Sequence, residues 1–382
     1  MRRNIKLLAL FNFFCDFRLY SAVMVIYFAR VTDSYTLAMS LFAVTMVTSA
    51  MLEIPTGIFS DRIERKTTLV LGALASVIAH VFYAIGLSYW ILFIGAAFEG
   101  LSRAFYSGNN DALLHDSLKS LNKQANFDEY LGKTQAFFQA ALAIAAVTGS
   151  VIANWSFSLV MWLSVIPQAL DLIISTQITE PQVFERKSGN IYLHIKSALS
   201  LFRTNFKIRL LSLYSIISQG LGEAAFEFRS AFIQMLWPLW AIGISKTMTF
   251  ILGSISMWYS SKIIKLLKAE RLLFINSAIN RIINIIATSV PTVFSPLILT
   301  FSAFTYGPSQ ISEKKIFHNN FTDEQRATMD SLISLGGTLF YGLSAILIGL
   351  VADQIGPIKT YFYIQLVLIP MVFLAWKISK IK

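Results

Sequence analysis

The sequence predicts an all-α integral membrane protein with twelve spanning helices in two six-helix bundles, and three observations carry that reading. Hydrophobic residues make up 55% of the 382-residue chain and charged residues 14%, against roughly 25% charged in soluble domains. The apolar residues gather into twelve runs, each near the roughly 20 residues that a spanning helix needs. The basic residues fall between those runs on one alternating side, as the positive-inside rule requires.

The runs lie at about 5–29, 36–60, 67–88, 90–110, 131–153 and 156–178, and again at about 208–236, 239–263, 271–290, 292–312, 326–351 and 358–378. They are called spans 1 to 12 below. The first, starting Met1-Arg2-Arg3-Asn4, looks like the head of a signal peptide. Asp16 and Arg18 interrupt it and no small-residue cleavage site follows, so it reads as a retained span. Of 32 Lys and Arg, 25 fall at the termini or in the loops 61–66, 111–133, 179–209, 262–271 and 313–326. Three (Arg30, Lys246 and Lys359) fall on the other side, and four (Arg18, Arg103, Arg229 and Arg281) lie inside runs. That asymmetry places both termini in the cytoplasm. The net charge of +11 follows from those cytoplasmic clusters. It lies along no single face, so it does not suggest a nucleic-acid partner.

The chain divides into an N-terminal bundle at 1–180, a cytoplasmic linker at 181–207 and a C-terminal bundle at 208–382. Ile5-Lys6-Leu7-Leu8-Ala9-Leu10-Phe11 opening span 1 repeats as Ile208-Arg209-Leu210-Leu211-Ser212-Leu213-Tyr214 opening span 7. A six-plus-six duplication requires a repeat at that position. The linker is polar, and its stretch at about 191–203 reads as a basic surface helix.

Ionisable groups inside hydrocarbon cost at least ~2.5–3.5 kcal/mol each, so they mark cavities or pairs. Asn12, Asp16 and Tyr20 recur every fourth residue on span 1, and Gln219, Glu223 and Glu227 do so on span 7, giving each helix one polar stripe. Glu99 and Arg103 stand four apart on span 4, close enough to pair. Asp16 and Glu223 are the strongest candidates for a substrate or proton pathway, joined by Glu53, Glu99, Arg103 and Glu227. The plainer alternative for these groups is buried pairing that fixes helix packing. Asp171, near the cytoplasmic end of span 6, reads as a structural group that can reach water, and Asn276, Asn280 and Asn284 on span 9 read as packing contacts. Arg18 sits about 200° round a continuous helix from Asp16, so it is not its obvious partner. Arg103 or Arg281 is an open alternative.

No enzyme constellation is present. The single Cys15 and the scattered His80, His115, His194 and His318 offer no metal-ligand spacing, and no phosphate loop or nucleophile elbow occurs. No cofactor and no metal are expected, and transport driven by ATP within this chain is excluded.

One loop carries a resemblance. Gly57-x-x-x-Asp61-Arg62-x-x-Arg65-Lys66 resembles the signature between the second and third helices of the major facilitator superfamily. The preceding Leu52-Glu53-Ile54-Pro55-Thr56-Gly57 and the later Ser107-Gly-Asn-Asn-Asp111-Ala-Leu-Leu-His-Asp116 are similar to a bacterial branch of predicted drug or uncharacterised permeases. The resemblance implies two bundles that rock about a central site, with spans 1, 4, 7 and 10 lining it, in a bacterial cytoplasmic membrane. It implies that Gly57 lets span 2 approach span 11, and that Asp61 accepts from the N-terminal amides of that helix. Arg62, Arg65 and Lys66 would pair with acids such as Asp111, Asp116 or Asp330, forming a gating loop. Two departures stand out: Glu64 replaces the usual Gly, and span 5 lacks the Gly-Pro signature of drug/proton antiporters, offering only Gly149.

The expected function is a monomeric secondary transporter in the lipid bilayer, a proton-coupled antiporter exporting a small amphipathic, drug-like compound. Six intramembrane acids (Asp16, Glu53, Glu99, Asp171, Glu223 and Glu227) against four arginines leave a surplus able to carry protons. Proton-coupled uptake of a small metabolite is the alternative within transport. A transport-inactive sensor on the same fold is the alternative outside it.

Overall fold

The computed structural model describes residues 2–62, 64–107, 109–181, 202, 205–320 and 323–381; some side chains within these ranges, those of Asp61 and Arg62 among them, lie outside that description. The linker falls almost wholly outside it as well, as does the surface helix at 191–203 apart from residue 202. Helix covers each of the twelve apolar runs, and no strand occurs among the described residues. Among the described residues, seven segments are long and apolar enough to cross a membrane by length and composition: Tyr35–Glu53, Arg65–Ile85, Glu129–Ala153, Phe157–Gln177, Leu239–Ser260, Ala269–Ser289 and Met329–Lys380. The last has 52 residues, roughly 78 Å at helical rise and enough for two crossings of a ~30 Å core.

The other runs are interrupted or polar. Span 1 is α1 (Arg2–Cys15), a 3-10 turn (Leu19–Ala22) and α2 (Met24–Thr32). The uninterrupted helix expected there is therefore corrected: the chain breaks at Asp16. Spans 2 and 3 are α3 (Tyr35–Arg62) and α4 (Arg65–Ile85). Span 4 is α5 (Tyr89–Tyr106), 18 residues long with Glu99 and Arg103 among them, and it continues as a short helix α6 (Asn109–Lys119). Spans 5 and 6 are α7 (Phe127–Ala153) and α8 (Phe157–Gln177).

Span 7 is α9 (Phe206–Ile217), a π-turn (Ser218–Gly222) and α10 (Glu223–Gln234). Spans 8 and 9 are α11 (Leu239–Leu266) and α12 (Ala269–Ser289). Span 10 is α13 (Ser295–Phe301), a 3-10 turn (Ser302–Thr305) and α14 (Tyr306–Asn320). Spans 11 and 12 are α15 (Asp323–Val367), bent at Gly356 with φ 80° just before Pro357, and α16 (Ile369–Lys380). Only glycine takes that backbone freely, and the proline cannot continue the ladder, so the chain reverses there.

Backbone contacts group the chain into two units, Met1–Lys187 with Leu239–Thr247, and Ser188–Pro238 with Met248–Lys382. In the first, the α4–α5 and α3–α5 pairs pack most closely, and α8 lies against α4. Its apolar interior includes Phe28, Leu41, Tyr83, Leu92 and Ala146, with a further cluster of Leu8, Phe11, Leu69, Leu113 and Leu118. In the second, α10 and the π-turn pack on α15, and α12 packs on α14 and α16. Asn280 on α12 donates to Thr305 Oγ1 at 3.0 Å, and Asn284 donates to the Asn280 carbonyl at 2.7 Å. Asn280 thus ties span 9 to span 10, while Asn284 bonds within its own helix and Asn276 Nδ2 is buried without a hydrogen-bond partner among the described residues.

Candidate functional site

The break in span 1 organises the polar interior of the first unit. Ending α1 at Cys15 leaves carbonyls with no helical partner, and such groups must find donors. Gln168 on α8 supplies them, its Nε2 donating to the Phe14 and Cys15 carbonyls at 3.1 and 3.3 Å. Arg18 Nε adds a bond to the Cys15 carbonyl at 3.2 Å. Gln168 is itself held by Ser76 Oγ at 2.8 Å, and both are fully buried. Across the break, α7 approaches so closely that a Cβ on Gly149 would stand 1.6 Å from the Leu19 carbonyl oxygen. Gly149 is therefore required by the turn, which the sequence offers no other sign of.

The break turns Arg18 toward span 4. Its Nη1 lies 2.6 Å from Glu99 Oε1, and Arg103 Nη2 meets the same oxygen at 2.9 Å. Tyr83 donates to Glu99 Oε2 at 2.8 Å. Glu99 is 3% exposed, so both of its oxygens are satisfied out of water by two guanidiniums and a phenol. The expected Glu99–Arg103 pair is present, and Arg18, not the expected partner of Asp16, is the second cation on Glu99. Nearby, Tyr20 bonds His80 Nε2 at 2.8 Å, and His80 Nδ1 meets the Ser76 carbonyl at 2.7 Å.

Asp16 sits at the break, half-buried, and makes no ion pair or side-chain hydrogen bond among the described residues. It lines a cavity of about 280 Å³ with Asn12, Tyr106, Asn110, Asp111, Thr134 and Phe138. The cavity therefore opens among α1, α5, α6 and α7 within the first unit. Arg18, Arg103 and Glu99 all act electrostatically on Asp16, and the two cations and two anions sum to zero charge. A proton bound at Asp16 would leave the group at +1. The predicted span 1 stripe is split: Asn12 and Asp16 share the cavity, while Tyr20 is 1% exposed in the core.

Tyr106, Asn110, Thr134 and Phe138 were not among the predicted site residues, because neutral side chains give no charge signal in the sequence. Asp171 also differs from expectation. It is 0% exposed rather than reaching water, with Oδ2 accepting from Tyr106 at 3.4 Å and Oδ1 without a hydrogen-bond partner. It stands directly behind a side chain that lines the cavity.

The second stripe is corrected too. The π-turn takes in one residue more than a helical turn, a rotation of about 100°, so Gln219 leaves the line of Glu223 and Glu227. Gln219 packs on α15, where a Cβ at Gly337 would meet its Oε1 at 2.4 Å. Glu223 is exposed and Glu227 half-buried on α10, both in the second unit.

At the expected cytoplasmic ends, Arg65 Nε pairs with Asp116 Oδ2 on α6 at 2.9 Å. The amides of Arg65 and Lys66 donate to Glu180 at 3.1 and 2.7 Å. An anion thus meets the N-terminal amides of α4, where the helix dipole favours it. The carboxylate in that role is Glu180; the side chains of Asp61 and Arg62 are outside the described residues. Asn109 Nδ2 donates to the Arg65 carbonyl at 3.0 Å. Glu53 is exposed on α3, nine residues before the helix ends at Arg62, and accepts from Ser107 at 2.9 Å. A Cβ on Gly57 would meet nothing within 4 Å among the described residues.

Among known proteins, the family model described as Major Facilitator Superfamily matches residues 7–309. The Inner membrane transport protein YajR of Escherichia coli (strain K12) is 26% identical over 192 residues, 47% of this chain and 41% of YajR. The Uncharacterized transporter BU466 of Buchnera aphidicola subsp. Acyrthosiphon pisum (strain APS) is 27% identical over 139 residues, 36% of this chain and 33% of that protein. The matches thus span less than half the length of either relative. A solved structure of a variant of the nucleoside transporter NupG superposes with TM-score 0.82 at 14% identity, covering 98% of this chain and 99% of that one. A bacterial homolog of the human lysosomal transporter Spinster superposes at 0.75 with 12% identity, covering 98% and 94%.

Proposed function

Because the chain belongs to the major facilitator superfamily, a family of multi-pass membrane transporters, we propose that it is a proton-coupled secondary transporter working by alternating access. In this reading it exports a small amphipathic cation from the cytoplasm of a bacterial cell, and both termini are cytoplasmic. The Asp16 cavity carries the reading. One carboxylate without a direct partner faces about 280 Å³ of space that also holds Asp111, two asparagines and the rings of Tyr106 and Phe138. A cation gains from the acids, an apolar body from the rings.

Coupling follows from charge. With Asp16 ionised, the group with Glu99, Arg18 and Arg103 is neutral, and a proton or a cationic solute neutralises the same carboxylate. Occupancy by one then excludes the other, which is the condition for exchange. Glu223, Glu227 and Glu53 are further stations on the pathway, and the loop Gly57, Asp61, Arg62, Arg65 and Lys66 acts as the gating element.

The test is accumulation of candidate toxic cations in cells expressing wild type or Asp16→Asn. Wild type lowers accumulation only while a proton gradient stands, and Asp16→Asn loses that effect. Undiminished gradient-driven export by Asp16→Asn would remove Asp16 from the mechanism. The polar lining by Asn12, Asn110 and Thr134 supports a second reading, proton-coupled uptake of a small polar metabolite; raised accumulation would select it. The NupG neighbour is a nucleoside transporter, which makes nucleosides a sensible first class to screen.

A further inference from the structure

The second unit holds two arginines without a counter-anion, Arg229 buried and Arg281 half-buried. Arg229 on α10 is 6% exposed, and its Nε and Nη2 are both buried with no hydrogen-bond partner. Arg281 on α12 has its Nη1 bonded to Gln365 Oε1, while its Nε is buried and unpartnered. Both guanidiniums lie within electrostatic reach of Tyr361, which is 3% exposed and packs its ring 5.0 Å from Phe232. Gln365 is itself fixed by a bond from Nε2 to the Tyr361 carbonyl at 3.2 Å. No carboxylate among the described residues pairs with either arginine.

Leaving a buried charge uncompensated is strongly unfavourable. The unpartnered atoms also share a direction. Nε and Nη2 form the side edge of a guanidinium, the edge that grips two oxygens in parallel. A water molecule supplies one oxygen and no charge, so it answers neither the geometry nor the electrostatics.

We propose that the second unit binds a small oxyanion of the carboxylate class, its two oxygens taken by Nε and Nη2 of Arg229. The site does not depend on the direction or coupling of transport. It lies apart in sequence from the Asp16 group, on span 7.

The experiment uses the full-length protein in detergent, in sodium HEPES at constant ionic strength, with sodium formate or sodium chloride titrated in. Melting temperature and calorimetric heat are the readouts. Formate is expected to raise the melting temperature saturably, and chloride is not. Arg229→Lys keeps the charge and loses the fork, so formate affinity is expected to fall about tenfold or more. Arg229→Gln is the second variant, should the first fail to fold, with the same expectation. The proposal is overturned by any of three results. Formate gives no saturable response in wild type, chloride matches or exceeds formate, or formate affinity is unchanged in the folded Arg229 variants.

Discussion

At the scale of single residues, Glu99 decides the stability of the first unit. It is buried, and it satisfies Arg18 and Arg103 on one oxygen and Tyr83 on the other. Glu99→Gln would leave two cations facing a neutral amide. Removing one partner of a buried ion pair costs about 3–5 kcal/mol, so the variant is expected to melt well below wild type in detergent. Arg103 is 41% exposed and pairs four residues along the same helix; Arg103→Gln is therefore expected to cost about 1 kcal/mol or less. Equal melting losses in the two variants would show that Glu99 is not the centre of this cluster. At the loop end, Glu180 accepts from the first two amides of α4. Glu180→Gln keeps an acceptor but loses the charge facing the helix dipole, an expected loss of about 0.3–1 kcal/mol that salt should reduce.

At the scale of elements, the breaks matter more than the helices, and the sequence hides them. Phe13-Phe14-Cys15-Asp16-Phe17 holds neither glycine nor proline, so periodicity reads straight through it. What interrupts span 1 lies elsewhere: Gln168 caps the freed carbonyls and Gly149 leaves room for the Leu19 carbonyl. Tertiary partners override local propensity, and no single-sequence pattern reports them. The Glu99–Arg103 pair was legible because both residues lie on one helix four apart. Arg18 was not, because its direction depends on a turn that the sequence does not announce. The π-turn in span 7 misaligned a stripe for the same reason.

The break can be tested through Cys15, the sole cysteine, which is 5% exposed at the end of α1. Gly149→Ala forces the Leu19 carbonyl away, so maleimide labelling of Cys15 is expected to quicken and the melting temperature to fall. Gly132→Ala, where a Cβ meets nothing within 4 Å, is the control: it is expected to leave labelling unchanged and to stabilise α7 by up to about 1 kcal/mol. Unchanged labelling in Gly149→Ala would mean that α7 does not hold the turn.

At the scale of the whole molecule, the fold was legible because a bilayer imposes a length and a composition on every crossing. Twelve apolar runs and one signature loop sufficed to point to the family. Function was less legible because the cavity is lined largely by neutral residues, whose role comes only from where the helices place them. Direction in the membrane rests on one sequence property, the 25 basic residues against three. Its consequence can be read residue by residue in a Cys15→Ser background. Leu87 and Asn154, both exposed, lie in connections after spans 3 and 5, which cytoplasmic termini would put outside. Glu129, also exposed, precedes span 5 and would lie inside. An impermeant maleimide on intact cells is therefore expected to label Leu87→Cys and Asn154→Cys but spare Glu129→Cys until the cells are opened. The reverse pattern would invert the topology. It would also place the Arg65–Asp116 pair and the Glu180 cap on the outer face, where they could not serve as a cytoplasmic gate.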